Sequence, residues 1–175
     1  MPTEKRSREL GAEDGGEKRS KKNVGDDEAQ QMMAKAEAGD VKVMCLLGDW
    51  YCSEEHDLPQ DDEESYYWFK RASDLNDAYG MTEVGYCLTE GCGVAKNTSD
   101  GVKLTKSAAD LGSGEASMRL GYWYRRGLND LPMDNDLAKK WLKKATEGSC
   151  TVQILNADSM AHAKEAILEL DKGDE

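Results

Sequence analysis

The residues able to do chemistry are few, and their spacing does not assemble a catalytic set. The chain has two histidines and five cysteines. His56 stands among Glu54, Glu55 and Asp57. Those atoms could attract a metal ion, but the segment reads as a solvated acidic loop. His162 has no nucleophile or carboxylate at a telling spacing. Cys45 and Cys52 are seven residues apart and share one helical face, where a rise of about 10 Å keeps their thiols from bridging. Redox sensing by these thiols competes with inert packing, and packing is the expectation. Cys87 stands where other segments carry Trp50 and Trp123, which places it in the core. The odd cysteine count and the lack of a CxxC pair argue against a zinc site or a closed disulfide framework. Gly91-Cys92-Gly93-Val94 lacks the preceding strand and following Lys-Ser/Thr of a phosphate-cradling loop. No catalytic residue, no metal and no cofactor is therefore expected.

Composition narrows the classes further. The 175 residues carry a formal charge of −12, from 23 Lys and Arg against 35 Asp and Glu. Phosphate binding needs a net basic footprint, so nucleic acid is not the expected partner. The longest strictly apolar run, Val43–Leu47, falls far short of the roughly 20 residues of a membrane span. No secretory signal is visible in the first thirty residues, so a cytoplasmic or nuclear protein is expected. Residues 1–25 hold seven basic and five acidic residues and almost nothing apolar, which predicts a disordered charged tail. That tail carries +2 and leaves −14 for residues 26–175. Within it, Lys5-Arg6 and Lys18-Arg19-Ser20-Lys21-Lys22 have the spacing of a bipartite nuclear import signal.

The remaining residues repeat. Ala36, Ala72, Ala108 and Ala145 are separated by 36, 36 and 37 residues. Met32, Trp68, Leu104 and Trp141 stand four residues before them, and the small Ala29, Ser65, Gly101 and Ala138 seven before. Gly25, Asp61, Asn97 and Asp134 stand eleven before, and the Asp and Asn side chains suit a helix N-cap. These spacings predict a second helix in each unit, with a large residue between two small ones on one face. A first helix precedes it, built on Leu47-Gly48-Asp49-Trp50-Tyr51, Val84-Gly85-Tyr86-Cys87-Leu88 and Leu120-Gly121-Tyr122-Trp123-Tyr124. Glycine inside a helix costs about 1 kcal/mol relative to alanine. Its return at one phase predicts a helix crossing too close for a Cβ. Trp50, Tyr51, Trp68, Trp123, Tyr124 and Trp141 occupy repeat positions that face neighbouring helices, so they read as core.

These residues resemble the Sel-one-like repeat, the α/α relative of the tetratricopeptide repeat. Gly91-Cys92-Gly93-Val94 with Lys96-Asn97 is similar to its loop, Leu120-Gly121-Tyr122-Trp123-Tyr124 with Gly127 to its first helix, and Lys106-Ser107-Ala108-Ala109-Asp110-Leu111-Gly112 to its helix end. Glu54 replaces the loop glycine of the first repeat, and Gly101 and Leu104 replace the usual Ala and aromatic residue of the second. The resemblance implies an all-α fold, a right-handed α/α superhelical solenoid of antiparallel helix pairs. The expected organisation is a tail over 1–25, a half repeat over 26–39, and repeats over about 40–76, 77–112 and 113–148. A capping helix and short tail are expected over 153–175, where Met160, Ala163, Ile167 and Leu170 keep a helical spacing.

The resemblance also implies that the first helices line the concave side, where partners bind. With the repeat glycine at zero and 100° per residue, core positions fill about 200–360° and positions −3, +1 and +4 fall near 40–100°. They are Cys45, Asp49 and Cys52 in the first repeat, Thr82, Tyr86 and Thr89 in the second, and Met118, Tyr122 and Arg125 in the third. This stripe is the candidate partner site. The expected function is a non-catalytic scaffold or adaptor for a protein or peptide, for which the acidic charge favours a basic partner, and no membrane is involved. It would act as a monomeric solenoid or as a subunit of a complex. Two alternatives come from the same resemblance. Cysteine-rich bacterial members bind or hydrolyse β-lactams, and Asp74-Leu75-Asn76-Asp77 is faintly similar to their repeat junction, but Ser73, Ala109 and Thr146 stand where their paired cysteines would be. Other members serve in ubiquitin-ligase complexes.

Overall fold

The computed structural model describes residues 24–53, 59–147 and 155–172. Those residues form eight α-helices and no strand. In order they are α1 (Val24–Glu37), α2 (Val41–Cys52), α3 (Asp62–Asp74), α4 (Ala78–Glu90), α5 (Thr98–Asp110), α6 (Gly114–Arg126), α7 (Asn135–Thr146) and α8 (Ala157–Lys172). The pairs α2/α3, α4/α5 and α6/α7 are the first and second helices of three repeats; α1 stands as a second helix before them and α8 follows. The chain is an all-α helical-repeat solenoid.

Side-chain caps set where the helices start. Asp61, Asn97 and Asp134 accept from backbone amides in the first turns of α3, α5 and α7, as the sequence predicts. Gly25 has no such role: α1 begins at Val24, so Gly25 lies inside it. The first helices carry their own caps, Asp40, Asp77 and Ser113. Gly91 and Gly127 end α4 and α6 in the left-handed conformation, at φ 85° and 62°, which residues with a Cβ adopt at a cost.

The main contacts run between helices consecutive in sequence. The apolar side chains accordingly gather in three clusters. One holds Ala36, Met44, Leu47, Tyr51, Trp68 and Ala72; the next centres on Ala108, Ala116, Leu120 and Trp123; the last joins Tyr124, Leu142 and Ala145 to Ala163, Ala166 and Leu170 of α8. Cys87 is buried, and Trp50 and Trp141 are half-buried against the clusters.

The repeat glycines lie where the helices cross. A Cβ on Gly48 would sit 2.6 Å from the Phe69 ring, and one on Gly121 2.6 Å from Cγ of Leu142. At Gly85 it would strike the hydroxyl of Thr105 and approach the Gly101 carbonyl to 3.1 Å. Gly101, the departure noted in the second repeat, faces Gly85 in turn, its own Cβ position being 2.8 Å from the Gly85 carbonyl. Two facing glycines let α4 and α5 approach backbone to backbone.

Candidate functional site

Each first helix packs mainly against the helices before and after it in the chain, and the packing decides which of the nine stripe residues remain accessible. At position −3, Cys45 and Thr82 are buried. The Cys45 thiol donates to Oδ1 of Asp77 at 3.3 Å, and the Thr82 hydroxyl lies 3.0 Å from that of Ser113. Asp77 and Ser113 are the N-caps of the next first helix, so position −3 forms the joint between repeats. Met118 is half-buried against the last cluster.

At position +4 Cys52 and Thr89 turn toward the repeat's own second helix and Arg125 toward α8. Cys52 is exposed, and its sulfur lies 3.0 Å from the Ser65 hydroxyl. Thr89 is buried against Gly101, and Arg125 pairs with Glu169 of α8. Position +1 opens outward in all three repeats: Tyr86 is 42% exposed, and Asp49 and Tyr122 are half-buried. The expected stripe over 40–100° is therefore corrected at Cys45, Thr82 and Thr89. The wheel gave the helix a single buried side of fixed width, whereas Cys45 and Thr82 abut the start of the next first helix and Thr89 lies against Gly101 of α5.

The open sector lies further round. Positions −2 and −6 project to about 160° and 120° and join position +1 at 100°. They carry Leu46 and Lys42 in α2, Glu83 and Tyr79 in α4, and Arg119 and Glu115 in α6. Sequence reasoning missed these residues. Their signal was opposite charge at one repeat position, Glu83 and Arg119 being 36 residues apart.

Arg119 organises this face. Its Nη2 lies 3.3 Å from Glu83, its Nε 3.1 Å from Glu115, and its guanidinium sits 4.8 Å from the centre of the Tyr86 ring. Burial works against the Arg119 charge, but the two carboxylates outweigh it and hold the group firmly protonated. Burial pushes the Glu83 carboxyl above its ordinary range despite the pull of Arg119. Asp49 is raised for the same reason, even though the Tyr79 hydroxyl donates to it. Between α4, α6 and the start of α8, Tyr79, Glu83, Glu115 and Arg119 wall an open cleft of about 340 Å³ together with Leu155, Asn156 and Ser159.

Other sites weighed in the sequence fare differently. His56 and the import-signal candidates Lys5, Arg6, Lys18, Arg19, Lys21 and Lys22 lie outside the described residues. His162 is exposed on α8. The four described cysteines are free thiols. Among the described residues no group of three or more His, Cys, Asp or Glu is arranged to hold a metal ion. No described helix is long and apolar enough to cross a membrane.

The Sel1 repeat family model matches residues 41–77, 78–113 and 114–150. Among solved structures the chain is similar to a Sel1 repeat protein from Oxalobacter formigenes, with 24% identity and a TM-score of 0.59, over 79% of this chain and 98% of that one. It is also similar to a protective antigen of uropathogenic Escherichia coli strains that displays an SLR fold. There the identity is 24% and the TM-score 0.63, over 81% of this chain but only 33% of the antigen.

Proposed function

Because the chain belongs to the Sel1 repeat family, we propose that it is a non-catalytic scaffold holding a basic protein or peptide segment across the open side of its first helices. Sel1 repeat proteins generally act as protein-interaction scaffolds. The observation that carries the finer reading is the charge and exposure of one face. Asp49, Glu83 and Glu115 set three carboxylates against the two cations Arg119 and Lys42, beside the rings of Tyr86 and Tyr122. Tyrosine is enriched among residues that dominate binding energy, and an excess of partly buried carboxylate attracts a cationic partner.

The test uses the full chain and a Tyr86→Ala/Tyr122→Ala variant. Binding of a labelled Lys- and Arg-rich peptide, and affinity capture followed by mass spectrometry, are compared between the two. Loss of both in the variant, with the helical circular dichroism spectrum intact, is the expected result. Equal peptide affinity and an unchanged capture profile would rule out this face as the site.

A further inference from the structure

The charge of the second helices changes steadily along the stack. Counting Lys and Arg against Asp and Glu, α1 carries −3, α3 −2, α5 0 and α7 +3. The last value comes from Lys139, Lys140, Lys143 and Lys144 against Asp136, in a chain whose total is −12. The arrangement is unfavourable for the helix itself, since Lys139 with Lys143 and Lys140 with Lys144 are like charges at i,i+4. The helix dipole compensates Lys143 and Lys144 in the last turn but not the two earlier lysines.

Two adjoining cavities open beside these lysines. One, of about 530 Å³, runs along α7 between Asp136 and Glu147. The other, of about 400 Å³, lies between α7 and α8 and is walled by Lys143, Thr146, Glu147, Lys164, Ile167 and Leu168, two cations against one carboxylate. Leu168 is 59% exposed beside the half-buried Ile167, which gives the cleft an apolar wall. Lys139 pairs with Asp171 and Lys144 with Asp110. Among the described residues Lys140, Lys143 and Lys164 make no ion pair within the chain and are all exposed.

We propose that α7 and the α7–α8 cleft form a second docking surface, for an acidic protein segment that inserts a large apolar side chain between Lys143, Ile167 and Leu168. Its carboxylates meet Lys140, Lys143 and Lys164. The surface is opposite in sign to the first-helix face and independent of it, so the two can be occupied at once. A long polyanion suits the site less well, because Asp110, Asp136, Glu147 and Asp171 interrupt any continuous phosphate track. A bilayer meets a convex apolar face more readily than a cleft.

Fluorescence anisotropy with the full chain tests this directly. The probe is a labelled peptide of Glu and Asp residues around one Phe; the controls replace its acidic residues by Lys, or its Phe by Ala. The acidic Phe peptide is expected to bind best. Affinity should fall by about tenfold in Lys143→Gln/Lys164→Gln and several-fold in Leu168→Ala, with unchanged helicity, while Tyr86→Ala/Tyr122→Ala binds as wild type. Equal binding of the Lys-containing control, or indifference to both α7–α8 variants, would overturn the proposal. So would tighter binding of phosphatidylserine vesicles or of an oligonucleotide that the same lysine variants abolish. Self-association by sedimentation, lost in those variants, would likewise overturn it in favour of a second copy.

Discussion

Cys45 gives its thiol hydrogen to Asp77 and Cys87 lies packed within α4, so neither sulfur meets solvent freely. Burial raises both thiols, Cys87 to about 12; Asp77 and Asp49 add to the effect at Cys45, and the Cys52 and Cys92 thiols with Glu83 add to it at Cys87. Thiolate is the reactive form, and almost none exists at neutral pH in either residue. Alkylation by iodoacetamide at pH 8, followed by peptide mass spectrometry, should therefore label Cys92 and Cys52 well before Cys45 and Cys87. Early labelling of Cys45 would contradict the burial described for the repeat joint. The same joint explains why two stripe residues, Cys45 and Thr82, are not accessible. Cys45 and Thr82 were assigned to an open face from their angle alone, and no property of either side chain announces that it will meet the N-cap of the next helix.

At the scale of the helix, the repeat glycines govern how closely first and second helices cross. Of Gly48, Gly85 and Gly121, Gly85 is the most restrictive, because two backbone atoms of α5 stand close to its Cβ position: the Gly101 carbonyl at 3.1 Å and the Thr105 amide at 3.3 Å. Backbone cannot rotate aside as a side chain can. Gly85→Ala is expected to lower the unfolding free energy by about 1–3 kcal/mol, despite the better intrinsic helix propensity of alanine. Ser107→Ala, exposed on α5, should change it little. Urea denaturation followed by circular dichroism measures both, and equal midpoints for the two variants would refute the close-crossing account. Helix periods, caps at Asp61, Asn97 and Asp134, and the glycine phase were legible because each is a local rule repeated several times. Residues at −2 and −6 were not, because their exposure depends on how one repeat is rotated against the next.

For the molecule as a whole, charge links stability to pH. Glu83 and Asp49 are raised above ordinary carboxylate values by burial, so the folded state holds protons there that the unfolded chain releases. Their contribution is complete below the unfolded value of about 4 and is lost as pH rises through the higher folded values. Lowering the pH from 7 toward 5 should thus raise the urea midpoint, in the same direction as relief of self-repulsion in a chain of −12. Glu83→Gln should flatten that rise, whereas Glu90→Gln, which removes an exposed charge, should keep it. Identical pH profiles for the two variants would show that Glu83 is not held as described. Opposite charges on the first-helix face and on α7 follow from the same distribution. The amino-acid sequence by itself determined the helical repeat, its period and the side chains that fill each crossing, because those depend on spacings within about forty residues. Only the tertiary structure decided which face stays open and where the lysines of α7 find an apolar neighbour. Those outcomes depend on the rotation between successive repeats and on α8 folding back over α7, which no single repeat encodes.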